Sequence, residues 1–455
     1  MNENSISVKD PNLGIHLKLL AMQSPQNQIP AVYKFLHHAF LPTRMCGIYP
    51  RDDQSFNRLF WTAYGFLVLA SSSINTFYSL YYFYDVIPSL YVDNSLRLCL
   101  DRCQFFIASF SGLFCIVNVQ CSAKKYAAIL ENVGKVDSVL HSNGIDLKFK
   151  YAQSYVQFFV RMVILVVFTI INASYISSGK DHGCDPIVIS SLIGTTAPLA
   201  IVSAMEYQHS VLMSVIEARF GAIRDRVTEI GKKASSMPDR NDMAEAESLV
   251  KIYNHLNEAA SLINEIYGKQ LLFVIGTIFA IVTSKANYVV QDVILFITQR
   301  TVGSPLLLLL TTYWGGFRLL ELWRIISACD AVVEKAREFT AELYQLMIDD
   351  NSLKLSKNKK LYLHISSQKD PVFTAHGFFT LDNSLFHSVI AAATTYLVIL
   401  IQFSQSSNGD KSSDSSNQTQ IAGNETLLVN ELNNSAEYNS TSDLKSLTAS
   451  TFLSG

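Results

Sequence analysis

The chain has 455 residues, of which 49% are hydrophobic and only 16% charged, against about 25% charged in soluble domains. A formal net charge of −2 gives no sign of a nucleic-acid partner. The balance is that of a chain that lives largely in lipid.

Residues 1–57 are polar and mixed, with no pattern of a cleavable signal peptide, and read as a cytosolic segment. The adjacent His37 and His38 point to different faces of a helix, which suits an interface better than a metal. Uncharged windows then run over 59–84, 103–123, 162–179, 186–205, 270–284, 301–317 and 383–409. With short extensions past isolated charges, such as Arg161 in the third, they predict seven spans. These fall at about 59–84, 103–123, 155–176, 187–209, 270–290, 302–326 and 382–403. A spanning helix needs roughly 20 apolar residues.

The end of the first span carries Phe77, Tyr78, Tyr81, Tyr82, Phe83 and Tyr84, a belt suited to headgroup depth. The seven cysteines lack metal-ligand spacing. Cys99, Cys103 and Cys184 leave one external disulfide open, with free thiols as the alternative. At the inner end of span four, His209 lies three residues from Glu206, close enough for a structural hydrogen bond.

Segments 210–269 and 328–373 predict helices continuing into the cytosol. Ile216, Phe220, Ile223 and Val227 recur at helical spacing. So do Leu249, Ile252, Leu256, Ala259, Ile263 and Ile266. Ser235 to Asp242, with Pro238, breaks the first segment in two. These stripes pack on one another within the chain or between subunits.

Ionisable groups inside spans are functional candidates. Lys285, near Ser284, Asn287 and Tyr288, either snorkels outward or faces a wet cavity. Arg318 and Glu321 stand at i, i+3 and can pair. Thr311, Thr312, Tyr313 and Trp314 place hydroxyls and an indole about mid-membrane. That suits a pocket for a small polar organic molecule, or hydrogen bonding between helices. The candidate ligand set is therefore Lys285, Tyr288, Thr312, Tyr313 and Trp314.

In the last span Thr395, Ile399 and Gln402 share one helical face, and no charge occurs between Asp382 and Asp410. A glutamine amide there suits a watery path or a neighbouring helix. Residues 404–455 are rich in Ser, Asn and Thr, and are expected to be disordered. They hold glycosylation sequons at Asn417, Asn424, Asn433 and Asn439, which favour an extracellular tail.

With the N-terminus inside, the cytosolic segments hold 26 Lys and Arg and the external ones far fewer. The expectation is an all-α polytopic membrane protein. It has a cytosolic N-terminal segment at 1–57, a seven-span domain at 58–403 and an extracellular tail at 404–455. No P-loop, zinc cluster or nucleophile elbow occurs, so no enzyme, metal or cofactor is expected.

The last span reads Thr395-Tyr396-Leu397-Val398-Ile399-Leu400-Ile401-Gln402-Phe403. This resembles the Thr-Tyr, five mostly hydrophobic residues, Gln-Phe signature of the insect gustatory receptor family. The approach, Phe373 to Asp382, is also similar to that family. The resemblance implies a ligand-gated, non-selective cation channel in the plasma membrane of sensory neurons. It implies a homotetramer, or a hetero-oligomer with related receptors, opened by a small tastant and passing monovalent and divalent cations. By motif position Ile399 would stand at the gate, with Gln402 beside the ion path and Thr395 and Phe403 flanking it. Tyr396 would pack behind the pore helix. Leu397 stands where the sugar-sensing branch commonly has an acidic residue, which leaves a bitter plant compound, fructose or another cue. The long tail also departs from the family pattern. The alternative class is a seven-span receptor of the G-protein-coupled type. It would place the N-terminus outside, against the charge count, and its Asp-Arg-Tyr and Asn-Pro-x-x-Tyr motifs are missing.

Overall fold

The computed structural model describes residues 35–48 except 37, parts of 60–77, 95–145, 147, 151–178, 186–234, 240–299, 305–348, 362 and 369–402. The described residues are almost entirely helical. After the short α1 (Leu41–Arg44) come α2 (Ser95–Cys121), α3 (Ala123–Ser142), α4 (Tyr151–Ser178), α5 (Pro186–Ala234), α6 (Arg240–Gln299) and α7 (Pro305–Ile348). The last helix is α8, Asn383–Gln402. By length and composition three of these helices can cross a bilayer among the described residues, or four if the bent pair α2–α3 counts as one span. The chain divides into two units, Met1–Ala393 and Thr394–Gly455, with the boundary inside α8.

Helix length explains the architecture. At 1.5 Å per residue α5, α6 and α7 run roughly 65–90 Å, two to three times the roughly 30 Å hydrocarbon core. Their excess must pack in water, so it must bury apolar stripes. It does so within the chain. Ile216, Phe220, Ile223 and Val227 of α5 are all buried, with Leu249, Leu256, Ala259 and Ile263 of α6 and Val332, Ala336 and Phe339 of α7. At the centre Tyr253 lies between Phe220 (5.3 Å) and Phe339 (5.2 Å). The rim is charged: Arg224 bonds Glu338 at 2.5 Å, and Arg226 bonds Glu245 at 2.5 Å. α5 ends at Ala234 and α6 begins at Arg240, while Pro238 lies outside the described residues.

Two features were not legible in the sequence. The segment after the second span is a further helix, α3, turned 64° from α2 at Ser122. Its buried face, Tyr126, Ile129, Val133, Val136 and Leu140, lies on α6. Fully buried Arg219 of α5 forks onto Asp137 of α3, both bonds 2.8 Å. Bidentate geometry of this kind pairs a buried guanidinium well. Near the N-terminus, Gln208 donates to Thr43 Oγ1 (2.6 Å) and to the Ile48 carbonyl (2.9 Å), holding α1 to α5.

All six described cysteines, Cys99 and Cys103 among them, are free thiols. Cys184, His37, the belt beyond Phe77, Phe403, the tail and its four sequons lie outside the described residues.

Candidate functional site

The last helix is mounted on a tight hairpin. The backbone N–H of Ala375 donates to the Phe379 carbonyl (2.9 Å), and that of Leu381 to the Phe373 carbonyl (2.9 Å). The reversal needs two left-handed residues, His376 (φ 52°) and Gly377 (φ 80°). Glycine takes that conformation freely and histidine at some cost. Asp382 then caps α8: its Oδ1 accepts from the backbone N–H of Ser384 (3.0 Å) and Leu385 (3.3 Å), while Thr380 Oγ1 donates to Oδ2 (2.7 Å). A capping carboxylate satisfies donors that the first helical turn leaves unpaired.

The hairpin is seated on α6. Asn264 Oδ1 accepts the Thr374 N–H (2.8 Å). Gly268, one turn on, has no room for a side chain: a Cβ there would stand 2.8 Å from the Thr374 carbonyl oxygen and 3.2 Å from the His376 nitrogen. Further bonds hold the approach. Asn257 Nδ2 donates to the Lys369 carbonyl (3.1 Å), and Arg337 of α7 pairs with Asp370 (3.1 Å). Burial, and then the nearby Asp382 carboxylate, push Asp330 of α7 above the usual carboxylate range. The hairpin residues were visible in the sequence only as an approach to the last span. Its seat on Asn264 and Gly268 was not, because neither lies near it in the chain.

On α8, Thr395, Ile399 and Gln402 share one face as their spacing requires, and all three are exposed. Tyr396 is 54% exposed.

A second cluster lies among the other helices. Trp314 of α7 is 2% exposed and stacks on Phe168 of α4 (4.1 Å, 13°), with Phe317 at 5.8 Å. Around it are Leu165 of α4, Leu199 of α5 and Ile281 of α6, in an apolar group separate from the main core. Helix geometry divides the ligand set expected from the sequence. Successive residues turn 100°, so Thr312, Tyr313 and Trp314 cannot share a face. Trp314 points inward. Thr312 is exposed, its Oγ1 bonded to the Leu308 carbonyl (2.9 Å), and Tyr313 is 45% exposed. On α6, Lys285 lies over the Tyr288 ring (4.7 Å), against Gly315 of α7. Beside them the Thr283 and Ser284 hydroxyls and the Asn287 amide nitrogen are buried without hydrogen-bond partners.

Arg318 pairs with Glu321, as their spacing suggests. His209 and Glu206 do not bond each other. The His209 ring faces Tyr267 (5.3 Å), while Glu206 faces Arg318 (3.8 Å). Phe168, Arg161 and Ser203 also enter this region and were not singled out as a site. The available signal was Arg161 itself, a charge interrupting an otherwise apolar span.

Residues 32–407 match the family model of the 7tm chemosensory receptors. The chain is a member of this family. Among Drosophila melanogaster proteins it is similar to gustatory receptor 68a, 29% identical over 35% of this chain and 41% of that protein. Gustatory and pheromone receptor 32a is 30% identical over 34% of this chain and 31% of that protein. Isoform D of gustatory and pheromone receptor 39a is 26% identical over 48% and 58% respectively. The chain thus spans less than two thirds of the length of each of these curated relatives. The fold is that of the insect olfactory receptor OR5 from Machilis hrabei, solved in complex with eugenol. The TM-score is 0.59 at 12% identity, covering 82% of this chain and 98% of that one. The receptor is a multi-pass membrane protein and not an enzyme.

Proposed function

We propose that the receptor is a ligand-gated, non-selective cation channel of the sensory-neuron plasma membrane, assembled as a homotetramer around α8. One observation carries this reading. α8 has 20 residues and no charge, only 17% of its most apolar window is buried, and one exposed face holds Thr395, Ile399 and Gln402. A purely lipid-facing helix has no use for that polar face, and a pore lining does. In this reading four Ile399 side chains close the path by excluding hydrated ions, and four Gln402 amides flank it. Uncharged amides hold ions weakly, so discrimination among cations is poor. The seven spans, the cytosolic N-terminus and the external tail belong to the same proposal and rest on the charge asymmetry.

The ligand site is proposed at the Trp314–Phe168 cluster, with Lys285 and Tyr288 at its edge and the unpartnered Thr283, Ser284 and Asn287 beside it. Buried polar groups without partners are costly, and a ligand is one way to satisfy them. OR5 binds eugenol, a small aromatic molecule, which supports a ligand of similar size. A bitter plant compound fits better than a sugar, because Leu397 replaces the acidic residue common in the sugar-sensing branch.

The test is whole-cell current in cells expressing this chain. Agonist from a tastant panel should evoke cation current, and Ile399→Asn should give current without agonist. The neighbouring Leu400, about 100° away on the helix, should tolerate conservative change. An Ile399→Asn receptor that reaches the surface, responds to agonist and does not leak would remove α8 from the gate.

A further inference from the structure

One helix joins the candidate ligand site to the mount of the last helix. At one level α6 carries the unpartnered Thr283, Ser284 and Asn287, with Lys285 over Tyr288 beside them. Sixteen residues before Ser284, Gly268 faces the hairpin at 373–382, and Asn264 bonds it one turn earlier. Sixteen residues span about 24 Å at 1.5 Å per residue. α6 is unbroken from Arg240 to Gln299 and contains no proline, whereas α5 holds Pro198. Sharp bends in long helices fall mostly at proline, so α6 moves as a rod.

The hairpin adds no slack to this rod. Its two arms are tied by the Ala375–Phe379 and Leu381–Phe373 backbone bonds, both 2.9 Å, and the Gly377 N–H donates to Thr374 Oγ1 (3.1 Å). Asp382 follows at once and caps the first turn of α8 through the Ser384 and Leu385 N–H groups. A displacement of Thr374 therefore reaches α8 instead of being absorbed in a loop. The seat is close as well as rigid. Asn264 Oδ1 accepts the Thr374 N–H at 2.8 Å, and Gly268 lets the backbone of α6 meet the backbone of the hairpin. Asn257, also on α6, donates to the Lys369 carbonyl. α7 reaches the same approach through Arg337 and Asp370, but their side chains are 69% and 39% exposed. Exposed pairs of this kind contribute little, so α6 is the main support.

We infer that α6 is the strut that couples the ligand site to the gate, with Asn264 as the positioning residue that passes its movement to the hairpin and so to α8. Coupling between distant sites requires an element whose equilibrium both of them bias. The hairpin on its seat is that element: a ligand at the 283–288 level loads one end of α6, and α8 loads the hairpin at the other. The inference rests on the channel reading and on the ligand site beside Trp314, and adds the route between them.

The experiment is whole-cell recording from cells expressing the full chain, with surface labelling to give current per receptor. Quinine, caffeine, salicin, eugenol and fructose are screened, and the most potent is used at saturating concentration. Asn264→Ala removes the acceptor and should lower the maximal current about fivefold, the worth of one neutral hydrogen bond. Asn264→Asp keeps an acceptor oxygen and should restore it. Gly268→Ala crowds the same seat and should act like Asn264→Ala. Gly276→Ala, between the seat and the ligand site on the same helix, meets nothing within 4 Å and should leave the current unchanged. In the Ile399→Asn background the agonist-independent current should survive Asn264→Ala, because that gate conducts without the strut. A role confined to folding would lower both currents together. If one seat variant does not reach the surface, the other decides. Wild-type maximal current in the seat variants, or equal loss of the agonist-evoked and agonist-independent currents, overturns the coupling and leaves the channel standing. A wild-type receptor that passes no current with any probe, or an Ile399→Asn receptor that does not leak, overturns the gate reading and the coupling with it.

Discussion

Gly268 offers a sharp test of how the last helix is held. In Gly268→Ala the new Cβ would lie 2.8 Å from the Thr374 carbonyl oxygen and 3.2 Å from the His376 nitrogen. Both are backbone atoms and cannot rotate away. Reaching ordinary contact at 3.4 Å requires the hairpin to retreat by about 0.6 Å, the difference between that limit and the 2.8 Å contact. That movement stretches the 2.8 Å bond from the Thr374 N–H to Asn264. Overpacking costs about 1–3 kcal/mol, and a weakened hydrogen bond about 1 kcal/mol. Alanine returns about 1 kcal/mol of helix propensity. The net is roughly 1–3 kcal/mol against the docked hairpin. Gly276, two turns further along α6, is the control, because a Cβ there meets nothing within 4 Å. Gly276→Ala should show the propensity gain alone. Hydrogen exchange over residues 369–382 in detergent-solubilised receptor reads the difference. Gly268→Ala should speed exchange at the Ala375 and Leu381 amides, and Gly276→Ala should not. Equal protection in both variants would mean that the hairpin is not seated on Gly268 as described.

Three further outcomes can be checked. Trp314→Ala removes a buried indole, costs about 3–5 kcal/mol and should lower yield. The milder Trp314→Phe should reach the surface and raise the half-maximal agonist concentration, and an unchanged dose–response curve would take this residue out of the ligand site. Glycosidase should increase the gel mobility of the receptor, and Asn→Gln at 417, 424, 433 and 439 should abolish that shift. A tail that antibody reaches only after permeabilisation would refute the external C-terminus. Glu338 is held below the usual carboxylate range by Lys335, and then by Arg224. A depressed carboxylate contributes stability above its unfolded value, about 4.3, and loses it as pH falls through the lower folded value. The melting temperature should therefore drop on acidification, and Glu338→Gln should flatten that acid limb.

Composition and charge spacing alone determined the class of this protein. Long uncharged windows can only be satisfied in lipid by helices that bond their own backbone. The Thr395–Phe403 signature identified the family because it is local, read within one helix at fixed spacing. The Arg318–Glu321 pair was legible for the same reason. Contacts between helices decided the rest. Arg161, Glu206 and Arg318 lie far apart in the chain and meet only because α4, α5 and α7 cross at one level. Gly268 looks like any helical glycine until the hairpin more than a hundred residues later is laid on it. Thr312, Tyr313 and Trp314 are consecutive in sequence, and only the rotation of α7 against its neighbours selects which of them faces inward. Periodicity specifies a face, but the partner of that face is set by packing among helices that the sequence does not order.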